Sequence, residues 1–435
     1  REGPGYVYRC WSAERHDRLP AQGEPEIAGT DLTGFALQLA CWGQPDGVGL
    51  ALPEPPPPAA LQVARETLTA LGAVDVDGRV TDRGRAVAAV GVHPRLARAL
   101  LDGAPRVGAD RAAEVVALLA EESVAGPGDD LTALWRRLRA GTDPGASARW
   151  RTEVRRLTAA LPATGAGAGT RDPGGVPDDL AAALLVGLAY PERLARARQP
   201  GGSTYLMSGG TAAELGPGSA LAGTPWLAVA VADRSPGGPA ARIRLAAPLD
   251  EATAREVGAP LLRTDREVGW SGTDVVARET TRLGAVVLAE RPLPAADPEQ
   301  VATALLTGLR EVGLSLLTWT PAARSLRDRL AFCRYALGDP WPETSDEALL
   351  AGAPDWLGPD LAGARRRADL ARIDVHDALR RLLPWPQAAR LDELAPERLA
   401  VPTGSRIRLD YTDPARPVLA VKLQETFGWA AAPRV

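Results

Sequence analysis

The chain has 435 residues, 45% of them hydrophobic and 24% charged, with a formal net charge of −4. This is the balance of a globular protein with room for three or four domains. It excludes a bulk polycation, and no apolar run approaches the roughly 18 residues of a membrane span.

The opening GPGYVYRCWS (3–12) reads as a turn and then one strand, which cannot bury itself alone. An apolar helix follows around 32–43, then a proline cluster at 53–58. Leu61, Ala64, Leu68 and Leu71 fall at helical spacing, and Gly72 sits where a C-cap belongs. AVDVDGRV reads as a small hairpin turning at Asp77 and Gly78, and Thr81 is placed to cap a helix carrying Val87 and Val90. Helix, helix, hairpin, helix suggests a winged-helix module.

Pro94 starts another helix, with Leu96, Leu100 and Leu101 inward and Arg95 and Arg98 outward. Helical pieces run on through 111–122, 131–139 and 150–161. Residues 162–179 have the composition of a flexible loop. A buried helix from Leu180 closes a helical bundle, with Gly201 and Gly202 as its end. From Thr204 to about Pro294 the pattern changes to Val- and Leu-rich strands, consistent with a small barrel such as an OB-fold. Helices return from Pro298 to about Leu394, and 399–429 is strand-like again.

Within that last stretch, VPTGSRIRLDY alternates: Ser405, Ile407 and Leu409 point one way, Arg406, Arg408 and Asp410 the other. RIRL also occurs at 242–245, putting Arg242 and Arg244 on an open strand face, and Arg278 and Arg282 alternate on a neighbouring strand. Lysine occurs once, at Lys422, so nearly all 50 basic residues are arginine, which reads first as a genomic bias. Any nucleic-acid contact must come from a local patch of them.

No G-x-x-x-x-G-K-[ST] phosphate loop or G-x-S-x-G elbow is present. His16, His93 and His376 have no metal spacing, and His93 reads as a capping residue. The acidic pairs Glu121–Glu122 and Asp129–Asp130 fall at helix ends. Cys10, Cys41 and Cys333 are too scattered for a metal site and read as reduced thiols. Trp226, Trp385 and Trp429, each beside proline or glycine, read as core anchors. No active site is visible, and with no signal-peptide pattern the sequence reads as cytoplasmic.

The order LTALGAV (68–74), VTDRGR (80–85) and PRLA (94–97) resembles the winged-helix and ratchet entry of DEAH-box (DEAH/RHA-type) helicases. LAYPERLA (188–195), ALAGTPWL (220–227), RLGAVVLAERPLP (282–294), LPW (383–385), 391–411 and 417–429 resemble the HrpB branch of that family. The resemblance implies a multidomain α+β chain of five parts. These are a remnant of the second RecA-like motor domain (1–23), a winged helix (24–92), a helical ratchet bundle (93–202), an OB-like β domain (203–294) and an HrpB-specific mixed α/β C-terminal domain (295–435).

It further implies the accessory C-terminal half of an ATP-dependent helicase, without the motor domains. ATP and Mg2+ would belong to the full-length parent and no cofactor to this chain. Arg1 matches the last arginine of the family's arginine-rich motif. The implied partners are single-stranded RNA or DNA, RNA before DNA, and the protein's own RecA-like domains; no membrane is involved. The candidate nucleic-acid contacts are Arg242, Arg244, Arg278, Arg282, Arg406 and Arg408, with Arg95, Arg98 and Lys422 behind them. Arg95 and Arg98 could equally pair with Asp102. The alternative reading is a platform that recruits a regulatory protein.

Overall fold

The fold is that of a computed structural model, described for residues 3–19, 25–121, 128–162, 175–233, 238–431 and 433–435. Arg1 and most of the loop read at 162–179 therefore lie outside the described residues. The chain forms two compact units, Arg1–Arg263 with Arg282–Val287, and Thr264–Thr281 with Leu288–Val435.

The first unit opens without the strand expected at 3–12. That stretch is exposed, and among the described residues no strand pairs with it; the short helices α1 (Ala13–Asp17) and α2 (Glu26–Gly29) follow. Helices α3 (Thr33–Trp42), α4 (Pro58–Ala70) and α5 (Asp82–Val90) then bracket a tight hairpin, where Val74 bridges to Val80 and Gly78 takes a left-handed φ of 77°. Thr81 caps α5 by accepting a bond from Gly84 N at 3.0 Å, and it donates to the Gly72 carbonyl at 2.7 Å. A Cβ at Gly84 would lie 2.0 Å from the Ala73 carbonyl oxygen, so only glycine lets helix and hairpin meet this closely.

A bundle follows: α6 (Pro94–Val107), α7 (Ala109–Ala120), α8 (Leu131–Ala140) and α9 (Pro144–Ala159). It closes on α10 (Asp178–Ala189), whose residues 181–189 are all buried. A helix apolar on every side needs cover on every side. It packs on α6 and also on the strands at Trp226–Asp233 and Ala241–Leu249. It ends at Ala189, earlier than the Gly201–Gly202 end read from sequence. The reason is that residues 194–197 are claimed by a strand.

That strand, β1 (Leu194–Ala197), joins β2 (Thr204–Met207), β3 (Ala212–Glu214), β4 (Trp226–Asp233) and β5 (Ala241–Leu249) in a closed barrel of order β1-β2-β3-β5-β4. All its pairings are antiparallel except β3 with β5, which is parallel. Tyr205, Leu227, Val229 and Ile243 fill the interior. Helix α11 (Glu251–Val257) interrupts the stretch read as all strand. Strands β6 (Leu262–Trp270), β7 (Val275–Leu283) and β8 (Val286–Pro292) follow and form a three-stranded sheet of order β6-β7-β8.

The second unit is mainly helical: α12 (Pro298–Val312), α13 (Pro321–Leu337), α14 (Asp346–Ala351), α15 (Ala353–Leu361), α16 (Arg367–Leu370), α17 (Val375–Arg380) and α18 (Trp385–Leu394). Leu305, Leu309, Leu330, Trp356 and Leu379 form its core. A small sheet, β11-β10-β9, closes it: β9 (Arg398–Ala400), β10 (Arg406–Asp410) and β11 (Val418–Leu419). Phe332 of α13 packs on Tyr411 with ring centroids 5.1 Å apart, which ties the sheet to that helix. Of the tryptophans read as core anchors, Trp226 is buried and Trp429 half-buried. Trp385 is 88% exposed, because it occupies the first turn of α18, outside the packed face.

Candidate nucleic-acid interface

An arginine that already holds a carboxylate has less to offer a phosphate than one that does not. The candidates therefore sort by their partners. In the first unit, Arg95 spends its guanidinium on Glu192, at 3.1 and 3.2 Å. Arg98 turns to Asp102 at 3.4 Å, and Arg83 binds the same carboxylate at 2.8 Å. Of the two outer arginines of α6, then, only Arg98 forms the pairing with Asp102. His93 caps α6 through Nδ1, which accepts from Arg95 N at 3.3 Å. Asp130 caps α8 in the same way, accepting from Thr132 N at 2.8 Å and Ala133 N at 3.1 Å. Asp130 of the acidic pair at 129–130 is thereby accounted for by helix capping.

Arg242 and Arg244 lie two residues apart on β5, flanking the inward Ile243. Both line a cleft of about 740 Å3 whose walls include Leu118 and Leu119 at the end of α7, the 216–219 turn and the tips of β4 and β5. Asp129 anchors one wall, its carbonyl accepting from Ala246 N at 2.9 Å. Arg244 pairs with Asp233 at 2.6 Å, with both side chains more than half exposed. Such a surface pair is worth roughly 0–1 kcal/mol, so a phosphate can displace it. Arg242 is half-buried, lies over the α-carbon of Gly216, and forms no ion pair among the described residues. Glu121 and Asp129 also face the cleft, so it is mixed in charge.

Arg282 is half-buried on β7 in the first unit and forms no ion pair among the described residues. In the second unit, Arg278 on the same strand is clamped between Glu267 at 2.8 Å and Glu290 at 2.7 Å. Hydrogen bonds to these two carboxylates raise its pKa further. The strand alternation that singled it out is the same one that carries its two neutralising partners on the adjacent strands. Lys422 is exposed beyond β11, at the start of a short 3-10 turn, rather than on a strand.

Arg406 and Arg408 are exposed on β10, while Ile407 and Leu409 turn inward. The pairing register sets Arg408 opposite Arg398 of β9, and Arg406 opposite Ala400. Arg398 was not among the sequence candidates. Its signal was the turn formers Pro402 and Gly404, which fold 398–410 into a hairpin and so oppose Arg398 to Arg408.

The helix–hairpin–helix at 64–92 matches the helicase associated domain (HA2), winged-helix, and residues 356–435 match the ATP-dependent helicase C-terminal family. Over 124 residues the chain is 30% identical to the probable ATP-dependent RNA helicase DHR2 of Saccharomyces cerevisiae, covering 28% of this chain and 17% of that protein. These matches liken parts of the chain to helicase-associated regions of ATP-dependent RNA helicases.

The more extended likeness is to the ATP-dependent RNA helicase HrpB of Escherichia coli, 33% identical over 99% of this chain and 51% of the relative. Two crystal structures of E. coli HrpB align over 98% of the chain, with TM-scores of 0.55 and 0.54 and identities of 31% and 30%, covering 50% and 51% of those chains. Along nearly its whole length the chain corresponds to the C-terminal region of HrpB-type DEAH/RHA helicases, and it spans about half the length of that relative.

Proposed function

We propose that this chain is the accessory C-terminal region of an ATP-dependent DEAH-box helicase. It engages single-stranded nucleic acid, RNA in preference to DNA, while motor domains of the whole protein bind ATP and Mg2+ and drive unwinding or remodelling. In this reading the protein works in the cytoplasm. The observation that carries it is Arg242, a half-buried guanidinium of the closed barrel that forms no ion pair among the described residues, although Glu214 and Asp233 stand opposite it on the neighbouring strands. The barrel order, with its single parallel pairing of β3 and β5, is OB-like, and that fold binds oligonucleotides on its open face and loops. Relatives with matching sequence are named as ATP-dependent RNA helicases, which favours RNA.

The cleft also holds Glu121, Asp129 and Asp233. These carboxylates favour a second reading, in which the surface recruits a regulatory protein. Anisotropy of labelled single-stranded RNA, and of the matching DNA, across a salt series separates the two. The first reading expects sequence-tolerant binding that weakens steeply with salt, and roughly tenfold or more when Arg242→Ala and Arg244→Ala are combined. Absence of binding at low salt would overturn it in favour of the partner platform.

A further inference from the structure

The face of β9 and β10 poses a charge problem that the rest of the fold does not solve. Arg398 and Arg408 are directly opposed across the ladder, and Arg406 stands two residues before Arg408 on the same exposed face. Directly opposed side chains sit roughly 5 Å apart at Cβ. Alternate residues of one strand stand about 7 Å apart. Like charges at these separations destabilise a sheet. Nor can the arginines turn inward, because Leu399, Ile407 and Leu409 occupy the core side.

None of the three forms an ion pair or a side-chain hydrogen bond among the described residues. Of the carboxylates near them, Asp410 and Asp328 interact electrostatically with Arg408, but neither forms an ion pair with it. Asp410 holds the Thr412 backbone N–H at 2.9 Å and its hydroxyl at 2.6 Å. Asp328, on α13, is raised above the usual carboxylate range by burial, while Arg327, Asp410 and Arg408 also act on it electrostatically. Phe332 on α13 packs against Tyr411, the residue that follows β10, with ring centroids 5.1 Å apart, and this contact sets β10 beside α13. There Asp328 lines a cleft of about 410 Å3 together with Tyr335, two helical turns further along the same side and 67% exposed.

We propose that β9, β10 and the adjoining side of α13 form a second track for single-stranded nucleic acid, in which Arg398, Arg406 and Arg408 grip successive phosphates and Tyr335 stacks on a base. The inference rests on the reading that the chain engages single-stranded nucleic acid, and adds a site in the other unit. A polyanion with regularly spaced charges relieves the repulsion between the arginines. Bidentate guanidinium contacts suit phosphate oxygens. An exposed aromatic beside such a row is the arrangement that holds strands without sequence preference. An acidic peptide would use the arginines but has no base for Tyr335.

The test is anisotropy of labelled oligouridylate and oligothymidylate with the full chain, with circular dichroism as a fold control. Arg398→Ala/Arg406→Ala/Arg408→Ala is expected to weaken binding about tenfold or more. It should also reduce the slope of log affinity against log salt by about 2, for three lost phosphate contacts on a single strand. The corresponding triple lysine variant, which keeps the charge, is expected to retain the slope. Tyr335→Ala should weaken binding about fivefold on a base-bearing strand and leave an abasic strand unaffected.

Wild-type binding that survives the triple alanine change but falls with Arg242→Ala/Arg244→Ala would overturn the second track alone. No wild-type binding to either strand would remove the functional reading beneath it. Equal displacement of the strand by a polyglutamate peptide, with Tyr335→Ala silent, would assign the face to an acidic protein instead.

Discussion

Arg329 shows how little an arginine's surroundings follow from its neighbours in sequence. It is 4% exposed, donates from Nε to the Ala395 carbonyl at 2.5 Å and from Nη2 to the Leu391 carbonyl at 3.4 Å, and pairs with Asp392 and Glu397 at the surface. It thereby closes the end of α18 against α13. Arg329→Ala leaves the Ala395 carbonyl without its guanidinium donor, while the Leu391 carbonyl keeps its bond from Ala395 N at 2.8 Å, and is expected to cost about 2–3 kcal/mol, seen as a lower urea midpoint. An unchanged midpoint would mean that water replaces the guanidinium.

Cys333, one turn along the same helix, is fully buried, and burial pushes its thiol up to about 11, while Cys10 and Cys41 are exposed. Native alkylation at neutral pH should therefore modify two thiols quickly and the third only on unfolding, countable by mass spectrometry. His93 is also shaped by burial, which lowers its pKa below 6.5. Arg95 and Arg193 add to the fall, and Asp31, 3.5 Å from Nε2, opposes it. The unfolded chain then takes up the proton first, so stability is full above about pH 6.5 and declines as pH falls toward the folded value. His93→Asn keeps a capping oxygen and removes the titration. Its stability should fall less between pH 6.5 and 5 than that of the parent, and parallel pH curves would exclude the assignment. The capping role of His93 was legible in HPRL; the fate of Arg329 and Arg278 was not, because their partners lie on other elements.

At the scale of elements, the module at 64–92 was read almost residue for residue, because caps, turn and apolar spacing are all local. Gly84 is the one position there whose reason is tertiary. Gly84→Ala would set a Cβ 2.0 Å from the Ala73 carbonyl oxygen and 2.9 Å from Val80 Cγ2. Overpacking of this kind costs about 1–3 kcal/mol, so the thermal midpoint should fall by several degrees. A neutral substitution would show that helix and hairpin can part without loss. Elements that need a distant partner were read less well. The strand expected at 3–12 has none, and β1 was hidden inside a stretch that looked helical, because LARA becomes a strand only through pairing with β2 and β4.

At the scale of the whole molecule, the chain folds as two units. The 435 residues contain no phosphate-binding loop, and the chain by itself is expected not to hydrolyse ATP. Phosphate release above the buffer background, with or without oligouridylate, would refute this. No helix among the described residues is long and apolar enough to cross a membrane.

Composition, periodicity and turn chemistry by themselves determined the helices, the hairpin at 74–80, the presence of a β region and the outward alternation of Arg406 and Arg408, since each depends on residues within a few positions. Only the tertiary structure decided which arginines are free. Barrel closure set Arg242 over Gly216, sheet pairing gave Arg278 two glutamates, and the β9–β10 register faced Arg398 toward Arg408. Alternation assigns a side chain to a face, but its charge balance is fixed by what the adjacent strand carries, and strands adjacent in a sheet can be far apart in sequence.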